Sequence, residues 1–352
     1  MTIEYPWLND AYEKLLTFDK SNHLPQAVLI NGVENIGKFK LLTKFISSLM
    51  CATKNACGKC KACKKIAKDK KENLDLYVEN ELLIRRSFHP NIIYCQRELD
   101  KNSKKSQVIK VNQIRAFCDA LSKTQKGLQI GVIIYADDMN RNAANSLLKT
   151  LEEPRDNTLI ILLSHKLNSI PATILSRCHR INIVPDFSAE TIKWLKKNIE
   201  NSADYDMEHL INMSHGVALK VKHLIESNTL SKYQDWQNEL FNIALNPDKI
   251  VNNKIFEKDE IGILYCLQNI IIEAIKLKLK NQKSALIELN SIIKKCDTKF
   301  LFLLLNDITK AISVFGSQIN NVLLLDSILI VWSHITHLRK YPIIFDKWSN
   351  YE

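Results

Sequence analysis

Two groups of residues have the types and spacing that chemistry would need. The first is Cys51, Cys57, Cys60 and Cys63, in the pattern C-x5-C-x2-C-x2-C. Four thiolates this close, with Gly58 allowing a tight turn between them, suit tetrahedral zinc. Four sulfurs leave no position open for water, so the expected ion is structural. An iron–sulfur cluster is the rival occupant. The second group is Gly32-Val33-Glu34-Asn35-Ile36-Gly37-Lys38-Phe39, which fits the phosphate loop GxxxxGK[ST] up to its last position. Backbone N–H groups and a helix N-terminus would cradle phosphates, and Lys38 would add a point charge. Gly32, Gly37 and Lys38 are the candidate nucleotide-binding residues. Phe39 stands where a hydroxyl should meet Mg2+, and an aromatic ring cannot ligate a hard cation. Whether ATP binds is left open; Mg-dependent hydrolysis is not expected.

These groups need elements to hold them. Residues 27–30 (AVLI) form a strand running into the loop, and residues 39–50 a helix leaving it. Residues 91–95 (NIIYC) are a second strand, followed by a lysine-rich turn. Residues 111–122 carry apolar side chains at helical spacing. Residues 129–135 (QIGVIIY) are a continuous apolar run, as in a parallel strand buried on both faces. A helix over 142–152, a strand over 159–163, a helical turn over 170–177 and a short strand over 180–183 follow. Strands alternating with helices give an α/β parallel sheet. After Pro185 strand signals almost vanish. Ser188-Ala189-Glu190 caps a helix over 191–199, with further helices over 206–213 and 217–227. Amphipathic helices then continue to about residue 340, where Trp236, Tyr265, Phe300, Phe302 and Trp332 are expected in the core.

The other half of an ATP site would be an apolar strand ending in acids, and the candidate is residues 132–139 (VIIYADDM). Just beyond it, residues 142–154 (NAANSLLKTLEEP) resemble the AAANALLKTLEEP signature of bacterial DNA polymerase III clamp-loader subunits, a branch of the AAA+ ATPases. Tyr5-Pro6-Trp7, Leu24-Pro25-Gln26-Ala27, His89-Pro90-Asn91 and Thr173-Ile174-Leu175-Ser176-Arg177-Cys178 support the resemblance, which covers the first 180 residues in order. It implies an AAA+ phosphate-loop sheet over 1–185 with a zinc module inserted at about 51–65. An all-α lid over 186–229 and an all-α collar over 230–352 would follow.

The same resemblance implies roles. The family's D-E-A-D-x-M motif falls on residues 134–139, so Ile134 and Tyr135 stand where the two catalytic acids belong and Asp137 matches only the later aspartate. A one-residue slip would give that role to Asp137 and Asp138, but the spacing to Ala143 argues against it. The family's second sensor arginine would lie near residues 216–220, where Leu219 and Lys220 stand instead. Arg177 of S-R-C matches the arginine finger that reaches a neighbour's γ-phosphate in trans. Without the resemblance, Arg177 would cap a helix end or pair with Glu152 or Asp186. The combination is similar to the delta-prime type of subunit: a non-hydrolysing stator, no enzyme by itself, in a hetero-pentamer with gamma/tau ATPases and delta. That assembly loads a sliding clamp onto primed DNA. The alternatives are a gamma/tau-type ATP-hydrolysing motor, and a stand-alone zinc-dependent DNA-binding protein.

Composition sets the outer limits. The 352 residues are 46% hydrophobic and 25% charged, enough for two or three domains with real cores. Eight glycines and eight prolines argue against long linkers. The N-terminus lacks the pattern of a signal peptide, and the most apolar stretches, 261–278 and 321–337, are interrupted by Glu273, Lys276 and Asp326. The expected location is the cytoplasm, with no membrane partner. A net charge of +11 fits a polyanionic partner, or a lysine-rich composition alone. Its densest lysine cluster spans 54–71; Lys59, Lys61, Lys64, Lys65 and Lys68 would touch DNA or form a solvated face. The dispersed cysteines (Cys95, Cys118, Cys178, Cys266, Cys296) read as buried thiols.

Overall fold

The computed structural model describes residues 3–20, 24–69, 85–97, 108–123, 126–227, 229–247, 259–284, 286–314, 320–338 and 340–342. The lysine-rich turn expected after Cys95 lies largely outside them, as do Lys70 and Lys71. The chain divides into two compact units, residues 1–223 and 224–352.

The first unit is built on strands β1 (Ala27–Asn31), β2 (Arg85–Arg86), β3 (Ile92–Cys95), β4 (Gln129–Ile133), β5 (Thr158–Ser164) and β6 (His179–Asn182), in spatial order β2-β3-β4-β5-β1-β6. Every pairing is parallel except β2 with β3. The two-residue β2 was not anticipated, being too short to carry a period. β3, β4 and β5 are buried along their whole length, as the continuous apolar runs require. Side chains alternate across the sheet, so β1 sends Val28 and Ile30 into one core and Ala27 and Leu29 into the other.

Helices α1 (Asn9–Lys20) and α2 (Lys38–Met50) cover the first face, and α3 (Lys61–Ile66) follows the cysteine loop. The opposite face is covered by α4 (Val111–Ser122) and α5 (Arg141–Glu152), with the short α6 (Ala172–Leu175) beside it. Gly131 shows how tightly α4 crosses β4: a Cβ there would lie 2.5 Å from the Phe117 ring. Beyond the sheet come α7 (Ala189–Asn198), α8 (Met207–Met213) and α9 (Ala218–Glu226), the last reaching the boundary between units. Ser188 accepts from the Thr191 N–H and Asp206 from the Glu208 and His209 N–H groups, satisfying first-turn donors of α7 and α8.

One expected strand is shorter than its apolar run. β4 stops at Ile133, and Tyr135 turns into the left-handed region at φ 62° before a single 3-10 turn, Ala136–Asp138. Side-chain contacts described below hold this conformation, which for a non-glycine residue costs on the order of 1 kcal/mol or more.

The second unit consists of α10 (Leu230–Leu245), α11 (Glu260–Leu279), α12 (Ile287–Lys295), α13 (Thr298–Val314) and α14 (Asn321–Ser333) among the described residues. Trp332 is fully buried and donates its indole N–H to Leu240 O at 2.7 Å; Tyr233 OH accepts from Asn269 at 2.9 Å. Trp236 joins this core, whereas Tyr265 and Phe302, expected inside, stand 42% and 48% exposed. Their helices carry apolar residues on more than one face, so periodicity alone did not single out the inward one. No described helix is long and apolar enough to cross a membrane.

Candidate functional site

The loop between β1 and α2 has the form of a phosphate cradle. Gly37 caps α2 with φ 97°, a conformation favouring glycine, and a Cβ there would also come within 3.1 Å of the Tyr5 ring. Lys38 is 6% exposed and turned back on its own loop. Its ammonium donates to Gly32 O at 2.5 Å and Val33 O at 2.8 Å, and it meets His165 Nδ1 at 2.8 Å. A lysine has three N–H donors, so these contacts provide an acceptor for each. Burial, then the adjacent Lys38 charge, push the His165 imidazole down to about 4, so at neutral pH its ring is uncharged and Nδ1 accepts.

Beside the loop, the residues that follow β4 form a network of their own. Tyr135 stacks on His165 with ring centroids 5.2 Å apart, and the Arg97 guanidinium lies 4.6 Å over the Tyr135 ring. Arg97 also pairs with Asp138, whose carboxyl burial nevertheless pushes above its ordinary range. Asp137 accepts the His165 backbone N–H at 3.0 Å. Ile134 and Tyr135 line the adjoining cavity of about 810 Å³ with Lys38, Phe39, His165 and Leu219; Asp137 and Asp138 do not. The two aspartates are thus engaged elsewhere, and the cavity wall carries no carboxylate at positions 134 and 135.

Aromatic side chains close the loop's other flank. Tyr5 and Trp7 stack with centroids 5.1 Å apart, and Trp194 of α7 meets both edge-on, at 5.4 and 5.1 Å. The Trp7 indole donates to Ile36 O at 2.8 Å, joining the N-terminal segment to the phosphate loop. Lys40 lies over Tyr5 and pairs with Glu4 at 2.5 Å, and Lys222 lies over Trp194.

The cysteines converge as their spacing suggested. The Sγ atoms of Cys51, Cys57, Cys60 and Cys63 all lie within 4.8 Å of one another, with Cys51 and Cys60 at 4.0 Å. Sulfurs around tetrahedral zinc, with Zn–S of about 2.3 Å, stand about 3.8 Å apart, so a small contraction would seat an ion. Backbone N–H groups of Cys57, Cys60 and Cys63 point at the sulfurs of Cys51, Cys57 and Cys60, each at 3.4 Å. The Cys57 N–H and then the Thr53 hydroxyl hold the Cys51 thiol down to about 5, whereas burial pushes Cys63 up to about 12. This donor set fits a metal ion, with Cys51 a full member. Lys59, Lys61, Lys64, Lys65 and Lys68 are all exposed around it. Buried Asp69 anchors the module's exit by accepting from the Ser87 hydroxyl and from the Phe88 N–H at 3.3 Å.

Arg177 follows α6 at the surface. It forms an ion pair with Glu152 at 2.5 Å and donates to Thr173 O at 2.8 Å and Ser176 Oγ at 3.3 Å. Asp186, the other carboxylate considered for it, instead accepts from Ser188 and Thr191. The structure brings Gly32, Gly37 and Lys38 together and the four cysteines together, and it places Arg177 apart from both groups. His165, Arg97 and Trp194 were not anticipated at the site, each being a lone residue in an unremarkable stretch; Trp7 belongs to the Tyr5-Pro6-Trp7 motif noted in the sequence, but its bond to the loop was not foreseen.

A family model described as "DNA polymerase III, delta subunit" matches residues 7–187 of this chain. The chain is similar to the DNA polymerase III subunit delta' of Pseudomonas aeruginosa, at 28% identity over 62% of this chain and 61% of the relative. It is 29% identical to that of Buchnera aphidicola subsp. Baizongia pistaciae over 78% of this chain and 79% of the relative. The Haemophilus influenzae subunit delta' matches at 31% over 57% and 56% respectively. The chain thus spans less than two thirds of two of these relatives. Among solved structures, a DNA polymerase III gamma subunit-related protein from Thermotoga maritima is 16% identical, covering 92% of this chain and 99% of that one, with a TM-score of 0.43.

Proposed function

Because the chain belongs to the family described as DNA polymerase III, delta subunit, we propose that it is the delta-prime-type, non-hydrolysing stator of a clamp loader. In this role it offers Arg177 in trans to ATP held by a neighbouring subunit. Its partners are gamma/tau-type ATPases and a delta subunit in a hetero-pentamer that loads a sliding clamp onto primed DNA. Residues 186–229 act as the lid and 230–352 as the collar. The four cysteines hold a structural zinc, whose chemistry is to cross-link the loop between α2 and α3; the insertion takes no part in catalysis.

The observation that carries the proposal is the state of Lys38. Its ammonium is met by Gly32 O, Val33 O and neutral His165, so a phosphate would have to displace contacts already made. Phe39, Ile134 and Tyr135 add the absence of a metal hydroxyl and of the two acids. Loss of a positioned base alone costs roughly 10²- to 10⁴-fold, and metal ligation is missing as well. The same positions disfavour a motor-type subunit. Arg177, by contrast, stands at the surface on a short helical turn, where an adjacent protein can reach it.

Two measurements test this. The purified chain is expected to show no ATP turnover, and steady turnover by it alone would refute the stator role. In the reconstituted complex, Arg177→Ala is expected to remove most clamp- and DNA-stimulated turnover at one neighbouring site, a finger being worth roughly 10³- to 10⁵-fold.

A further inference from the structure

Given Arg177 as the group offered to a neighbour's nucleotide, we infer that Glu152 is its positioning residue. Two elements hold the guanidinium at different nitrogens. Glu152, the last residue of α5, takes Nη2 at 2.5 Å, while Thr173 O and Ser176 Oγ take Nη1 at 2.8 and 3.3 Å. A planar group fixed at both terminal nitrogens cannot swing freely about its long stem, so its direction is set before a partner arrives. The Nε–H and the Nη2 N–H groups have no hydrogen-bond partner among the described residues, Nη2 being held by the ion pair with Glu152, and Nε together with Nη2 is the edge that a bidentate phosphate contact uses. The Arg177 and Glu152 side chains remain 35% and 48% exposed, so that edge is open to an adjacent molecule.

Local helix energetics do not explain the carboxylate. Glu152 sits at the C-terminal end of α5 with Glu153 capping it, where the unsatisfied carbonyls favour cations over anions. A half-exposed ion pair is too weak to make folding the reason for the placement. Residues set against a local rule are expected where function constrains them. Here the negative charge is useful because it faces Arg177.

The test uses the reconstituted complex and follows turnover at the neighbour's site across ATP concentrations. Glu152→Ala is expected to lower kcat by roughly ten- to a hundredfold, up to the cost of a catalytic group misplaced by about 1 Å, with KM for ATP unchanged. Glu152→Gln, which keeps an acceptor oxygen, should recover part of the loss. In an Arg177→Ala background, Glu152→Ala should cost nothing further, because the two act as one unit. An unchanged kcat in Glu152→Ala, with Arg177→Ala inactive, would overturn the positioning role and leave the finger standing. Raised turnover would identify Glu152 as a competitor of the phosphate, and a loss that persists undiminished without Arg177 would identify a role in the fold; either overturns the inference. Full activity of Arg177→Ala would instead remove the finger assignment itself. Glu152 is exposed, so thermal melts of its variants should match the parent.

Discussion

His165 is the residue on which the phosphate loop turns, and its titration gives the loop a measurable signature. Its imidazole is held down to about 4 from an ordinary 6.5 by burial and by Lys38. The unfolded chain therefore takes up this proton at higher pH than the folded chain does. The associated stability is complete above pH 6.5 and is lost as pH falls toward 4. Allowing for partial solvent access, its size is on the order of 1–2 kcal/mol. His165→Gln keeps an acceptor for Lys38 without the titration. Thermal melts between pH 7 and 4.5 should show the parent losing more than this variant, and identical slopes would count against the neutral latch. Nothing in the sequence foretold it. Phe39, Ile134 and Tyr135 drew notice in the sequence because the surrounding motif leads one to expect other residues there. The contacts made at Tyr135, with Arg97 over its ring and His165 stacked on it, join segments far apart in the chain. No local pattern records such neighbours.

At the scale of elements, the cysteine loop and the sheet were the most legible parts, for different reasons. Cys57, Cys60 and Cys63 lie within one short knuckle, so their convergence follows from chain length alone; Cys51 joins them from the end of α2. β1, β4 and β5 were readable because strands buried on both faces leave continuous apolar runs. β2 and the left-handed turn at Tyr135 were not, since neither has a pattern of its own. The cysteine loop has little hydrophobic core beyond Cys51, Cys63 and Ile66, so metal should order it. Elemental analysis is expected to find one zinc per chain. Chelation or Cys51→Ser should raise hydrogen exchange over residues 51–66 while leaving β1, β4 and β5 protected. Unchanged exchange on complete metal removal would mean the loop folds without the ion.

For the whole molecule, one compact unit is built on the sheet and the described residues of the other form helices, and the composition break after Pro185 foreshadowed where the described strands end. It did not mark the division at residue 223, since one helix continues across it without a change in composition. A ligand that binds only the folded state raises its stability by about 2.7 kcal/mol at a hundredfold excess over Kd. Millimolar ATP is therefore expected to leave the melting temperature of the purified chain unchanged. A rise of several degrees would mean that Lys38 gives up its own carbonyls for phosphate.

The aromatic trio of Tyr5, Trp7 and Trp194 has a consequence of its own. Indole and phenol rings join the N-terminal segment to α7, and the Trp7 bond to Ile36 O joins it to the loop, with no nucleotide taking part in either contact. The N-terminal segment should thus stay fastened to the loop and to α7 whether or not nucleotide is supplied, which hydrogen exchange over residues 3–8 with and without ATP would read directly.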